Sequence, residues 1–131
     1  MPYSQQDFDD AYDALIECAL WSSLAWGPTP DDEPISADEL HSEWDIDDAI
    51  RQELRADVRA FMEDEEADLG DMLPQQIGHD FWLTREHHGA GFWDRGLGER
   101  GDRLTKAAQC YGSIDLGLYW RYDDNGEQVT A

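Results

Sequence analysis

The chain has 131 residues and a mass of 15.0 kDa, and 40% of it is hydrophobic, with six Trp, five Tyr and four Phe; this is the size of one domain with ample core material and argues against disorder throughout. Its formal net charge is −22 and the acidity is regional: residues 1–75 hold 22 of the 31 Asp and Glu against three arginines, a net −19, while residues 76–131 hold nine acids against six bases, a net −3. A field of that sign is unfavourable beside DNA, RNA or anionic lipid and points to a positively charged protein partner, with no direct nucleic-acid contact.

The first predicted element is an amphipathic helix over residues 6–25, with Phe8, Tyr12, Leu15, Ala19 and Ser22 on one face and Asp9, Asp10, Asp13 and Glu17 on the other. Gly27-Pro28 stops it, residues 27–34 form an acidic, proline-rich loop, and Ser36-Ala-Asp-Glu39 has the pattern of a capping box opening a short helical turn. From Ile46 the positions Ile50, Leu54, Val58, Phe61, Met62 and Leu69 predict a helix over residues 47–69, with Asp47 and Asp48 at its positive end and Gly70 as its cap. Its distal half, Glu63-Asp64-Glu65-Glu66 followed by Asp68 and Asp71, lacks basic partners one turn on and projects a strong negative field.

Beyond Pro74 the pattern changes. Residues 80–85 and 90–95 each hold a Phe-Trp pair and flank the loop Glu86-His87-His88-Gly89, which predicts an aromatic antiparallel hairpin. Residues 102–111 predict a short helix capped by Asp102 and ended by Gly112, with Leu104, Ala107, Ala108 and Tyr111 inward. Ile114, Leu116, Leu118, Trp120 and Tyr122 alternate with polar or small residues as in a strand, which Asn125-Gly126 turns back through a type I′ hairpin. Helices followed by a small sheet with one inserted helix make an α+β order: a single domain over residues 1–131, its N-terminal acidic helices packed on one face of a small antiparallel sheet. Cys18 and Cys110 fall in predicted helices among apolar neighbours and read as buried thiols, with a disulfide left open.

Three chemical sites compete with the acidic surface. His79, His87 and His88 lie near Asp80 and Asp94, but no metal-ligand spacing such as H-x-x-x-H or C-x-x-C is present. Asp80 and Asp94 could act as an acid and base pair, although among 31 carboxylates two that meet carry little information, and no nucleophile or cofactor motif accompanies them. Asp123-Asp124-Asn125-Gly126-Glu127 resembles part of a calcium loop but lacks its closing Glu, and a turn explains it better. Acidity as general solvation in a high-salt organism predicts acids spread evenly, against the −19 to −3 division. No run approaches the roughly 20 apolar residues of a membrane span, and Met1–Asp10 has no basic stretch leading into an apolar one, so the expectation is a cytoplasmic protein with no membrane partner.

The stretch Gly78-His-Asp-Phe-Trp-Leu-Thr-Arg85, continuing through His88-Gly-Ala-Gly-Phe-Trp-Asp-Arg-Gly-Leu-Gly98 to Leu104-Thr-Lys-Ala-Ala108 and Tyr111-Gly-Ser113, resembles a block seen in small acidic bacteriophage proteins, a group mostly without assigned activity. The likeness covers residues 76–116 and, loosely, the first helix; the loop often written Asn-Gly-His-Gly in that group is Glu86-His87-His88-Gly89 here. The resemblance implies a phage or prophage origin and a host-cell setting, where small acidic proteins include DNA mimics that block restriction enzymes, CRISPR complexes or repair enzymes.

Carboxylates three or four residues apart on a helix lie roughly 5–6 Å from one another, a spacing similar in scale to successive phosphates. The expectation is therefore a non-enzymatic inhibitor that occupies the basic nucleic-acid-binding surface of a host protein. Its contacts are Asp9, Asp10, Asp13, Glu17, Asp31, Asp32, Glu33, Asp47, Asp48, Glu63, Asp64, Glu65 and Glu66, with Trp26 or Trp44 as an apolar anchor and no cofactor. A metal-binding or hydrolytic protein built on residues 79–95, and a structural or regulatory phage component, are the alternatives.

Overall fold

The computed structural model describes residues 3–130. The α+β class stands, with five helices and two antiparallel two-stranded sheets among the described residues. Helix α1 (Gln5–Ser22) opens on a reciprocal cap in which Ser4 Oγ accepts from the Asp7 amide and Asp7 accepts from the Ser4 amide. It ends at Ser22, three residues before the predicted limit. Ser22 Oγ donates to the Cys18 carbonyl and accepts from Trp82 Nε1 at 2.9 Å, and the next residue is already extended, so Leu24–Ala25 (β1) pairs with Ile35–Ser36 (β2). Gly27 serves a close approach as well: a Cβ there would lie 2.6 Å from the Trp120 ring.

Single 3-10 turns over Ala37–Glu39 and Glu43–Asp45 lead to α2 (Asp48–Asp64), whose first turn is capped by Asp47. The predicted helix over 47–69 is interrupted at Glu65, and α3 (Glu66–Leu69) adds one turn before Gly70, at φ 60°. The interruption falls in the run of four consecutive acids, where like charges crowd the turn.

Residues 80–85 are the main correction: they form the end of α4 (Pro74–Arg85), not a hairpin arm, and Phe92–Asp94 is a 3-10 turn rather than the second arm. Pro74 occupies the first helical position, where its fixed φ and missing amide hydrogen favour a helix start. Eight of the twelve α4 residues are buried, so it has no broad polar face to reveal the 3.6-residue period, and a short apolar run of this kind reads equally as strand or buried helix. α4 packs chiefly against α1. Their backbones nearly touch at Ala11 and Gly78, where a Cβ on the glycine would come within 1.9 Å of the Ala11 carbonyl oxygen.

Phe61, Phe81, Phe92 and Tyr111 form the aromatic centre, with Phe61 and Phe81 centroids 4.6 Å apart. Beside it Arg85, fully buried, donates to the Gly112 and Tyr111 carbonyls and to Asp57, fastening α2, α4 and the end of α5 (Glu99–Gln109) at one point. α5 starts a turn earlier than predicted, after Gly98 at φ 65°, and Cys110 at its end is exposed, whereas Cys18 is buried as expected. Both thiols are free.

The predicted strand over 114–122 is ordered as an extended segment in which Leu116, Leu118 and Trp120 are buried, but only Trp120–Tyr122 (β3) joins a sheet, with Gln128–Thr130 (β4). Asp115 ties the amide of Gly117, at φ 66°, and breaks the ladder. Gly126 is at φ 81° while Asp124 and Asn125 keep negative φ, so the β3–β4 connection is a type I turn with a glycine bulge instead of the predicted type I′ turn. Asp123 Oδ1 accepts from the Asn125 and Glu127 amides, which commits that carboxylate to the turn. Among the described residues no helix is long and apolar enough to cross a membrane.

Candidate functional site

The acid-bearing face of α1 forms one wall of an open groove of about 750 Å³. Asp10, Asp13, Glu17 and Trp21 follow one another at three- and four-residue intervals and so project on the same side, with Ala14 and Cys18 between them toward the floor. The opposite wall is the first turn and a half of α4, presenting Gln75, Gln76 and His79. Asp38 closes one end, held by Ser36 Oγ, which donates to its carboxylate at 2.7 Å. Trp21 stands at that end with 62% of its surface exposed.

The groove is electrically one-sided. Arg95 lines it, but Arg95 donates to both oxygens of the fully buried Asp80, at 2.7 and 3.0 Å, and that pairing raises its pKa and neutralises its charge. Asp13 and Glu17 have no ion pair among the described residues. The Asp13 carboxyl is pushed above the ordinary value, first by partial burial and then by Glu43, with Asp9 and Asp10 adding to it against Arg55. In the floor, burial pushes the Cys18 thiol up to about 12 and Asp80 reinforces the shift, so no thiolate nucleophile forms there at neutral pH.

The three arginines of the acidic part lie along the α1–α2 seam, each across an aromatic ring: Arg51 over Trp44 at 5.0 Å, Arg55 over Tyr12 at 3.9 Å and Arg59 over Phe8 at 4.6 Å. Each also reaches a carboxylate, Asp48, Asp9 and Glu63 respectively.

The sequence-predicted contacts therefore divide. Asp10, Asp13 and Glu17 meet in the groove. Asp9, Asp48 and Glu63 are engaged by arginines, Asp47 caps α2, and Asp32 closes its own loop by accepting from the Thr29 amide and hydroxyl. Asp31 and Glu33 are exposed on that loop, and Asp64, Glu65 and Glu66 lie around the α2–α3 break. There the Glu65 carboxyl is raised by burial and by Asp68 and Asp64. The thirteen do not form one continuous row.

Trp26 and Trp44 are exposed as expected, but neither lines the groove, and Trp44 already carries Arg51. Trp21, Asp38, Gln75 and Gln76 were missed by sequence reasoning; the Glu17-to-Trp21 spacing of one helical turn was the available signal for the first. His87 and His88 are exposed in the turn after α4, and His79 is 3.7 Å from Asp80. Asp94 is exposed on the 3-10 turn, while Asp80 is consumed by Arg95, so the acid and base pairing drawn from a hairpin has no geometry to support it. Among the described residues no three His, Cys, Asp or Glu side chains are grouped to hold a metal ion. No family model, curated protein or solved structure matches the chain.

Proposed function

We propose that this protein is an acidic inhibitor, of the DNA-mimic kind used against restriction or CRISPR systems, that occupies the basic nucleic-acid-binding surface of a host protein in the host-cell cytoplasm. The observation that carries the reading is the absence of any Lys or Arg in residues 1–50, combined with the capture of the next three arginines by aromatic rings and carboxylates of the same acidic part. An ordinary solvated helix face mixes both signs. Here Asp13 and Glu17 in the groove have no ion pair among the described residues, and at a Debye length of about 10 Å such a field speeds association and weakens with salt.

The experiment is competition. A basic protein captured from host lysate at low salt is offered labelled DNA with increasing amounts of this protein. DNA release that disappears at high salt supports the reading. The reading fails if DNA and the acidic protein bind the captured partner together, or if a variant with Asp10→Asn, Asp13→Asn, Glu17→Gln, Glu63→Gln and Asp64→Asn, shown to be folded, releases DNA as well as the parent.

A further inference from the structure

We infer that the groove between α1 and α4 receives an arginine-bearing peptide segment of the partner, with a guanidinium laid over the Trp21 ring and against the Glu17 and Asp13 carboxylates, and an apolar neighbour seated on Ala14. The inference rests on the inhibitor reading and assigns the receiving part to this protein: the partner inserts a segment here, besides being covered by the acidic surface.

The protein itself supplies the template. On α1, Asp9 and Tyr12 are one turn apart, and together they hold Arg55, its guanidinium 3.9 Å from the ring centre and 3.0 Å from the carboxylate. Farther along the same helix Glu17 and Trp21 repeat the pairing of carboxylate and ring at one-turn spacing, with Asp13 a turn before. Among the described residues no arginine lies over Trp21 and none pairs with Glu17 or Asp13. This second seat opens onto a groove of about 750 Å³ rather than onto α2.

Charge fixes the sign of the occupant, and the ring favours arginine over lysine, because a planar guanidinium stacks on an indole and bonds a carboxylate in the same pose. The mixed lining argues for a peptide: Ala14 offers apolar surface, and the Gln76 amide can pair with a main chain. The like charges of Glu43, Asp9 and Asp10, which add to burial in raising the Asp13 carboxyl, are offset when a cation enters.

The test uses the full chain and a fluorescently labelled synthetic peptide, Arg-Arg-Leu-Arg-Arg-Leu-Arg-Arg, with versions in which Ser replaces Leu or Glu replaces Arg. Binding is read by anisotropy, and the site by the indole N–H resonance of Trp21, assigned by its loss in Trp21→Phe. The expected result is binding of the Arg/Leu peptide that shifts the Trp21 resonance and leaves Trp44 in place. Affinity falls about tenfold in Trp21→Ala, the scale of losing an aromatic interface anchor, and ~2–5-fold in Glu17→Gln. Ala14→Arg, which fills the groove with an internal cation, blocks it. Trp21→Ala and Glu17→Gln change exposed positions, and circular dichroism establishes that each variant is folded. Equal binding by parent, Trp21→Ala and Ala14→Arg, or a loss produced only by Glu63→Gln with Asp64→Asn, overturns the groove assignment while leaving the acidic-surface reading intact. Failure of the Arg/Leu peptide to bind, or a shift at Trp44 without one at Trp21, also overturns it; the inhibitor reading is judged separately by DNA release.

Discussion

Charged side chains buried on α4 and those on the outer face of α1 are the same chemical groups put to opposite uses. Asp80 and Arg85 are fully buried, and each has its charge matched by a named partner, Arg95 for the first and Asp57 for the second. Asp13 and Glu17 are exposed and have no ion pair among the described residues, and Asp13 sits among like charges that make its ionised form less favourable. A charge taken out of water must be paired to be tolerated, so burial marks those that hold the fold together. The unpaired rows contribute nothing of that kind. Their persistence in a folded chain is what the proposed recognition of a cationic partner would account for.

The sharpest way to break the comparison is to delete a charge from the centre. Arg85→Ala leaves the Tyr111 and Gly112 carbonyls and Asp57 without their donor, and removing one member of a buried pair costs about 3–5 kcal/mol. Urea denaturation should show that loss, with a midpoint far below the parent's. A midpoint within the range of surface substitutions would mean that the buried charge does not organise the centre.

A smaller effect is expected at Gly78, which sets how closely α1 and α4 approach and hence the width of the groove. Gly78→Ala forces a methyl into the Ala11 carbonyl, and overpacking of this kind costs about 1–3 kcal/mol. Thermal unfolding reads the cost. The same variant should displace the Trp21 indole resonance relative to the parent's, because the walls of the groove are carried by these two helices.

How much of this was legible in the sequence follows from how each element meets water. α1 and α2 each bury one face, so their periodicity showed, as did the burial alternation of Leu116, Leu118 and Trp120. α4 is covered on most sides, and its Phe-Trp-Leu run therefore carried no polar stripe from which to read a helix. The strand pattern at 114–118 reported burial correctly and pairing wrongly, because alternation senses which side chains are covered and is blind to whether a neighbouring strand completes the ladder. The groove needed both readings at once: its acidic wall was visible in Asp10, Asp13 and Glu17, but its second wall lies on the helix that the pattern concealed.

The smallest predicted effect separates the two regions by pH. The Asp13 and Glu65 carboxyls are raised in the folded protein, each first by burial and then by neighbouring carboxylates, so the folded state binds protons more readily than the unfolded one. Stability from these two groups is present below their unfolded values and is lost as pH rises through the folded ones. Asp68 has the opposite sign: bonds from Arg103 hold it below 3.8, and its contribution is present above that value and lost as pH falls. Acidification from neutrality into the carboxylate range should therefore raise the unfolding temperature slightly, before the Asp68 contribution is lost at lower pH. Asp13→Asn with Glu65→Gln should raise the midpoint at neutral pH and flatten the response to acid. Asp31→Asn with Glu33→Gln, equal in charge but on the exposed loop, should flatten it less. Scanning calorimetry across that pH range decides the matter: identical profiles for the two pairs would mean that total charge alone sets the response, and that no crowding is concentrated on α1 and at the α2–α3 break for a cationic partner to relieve.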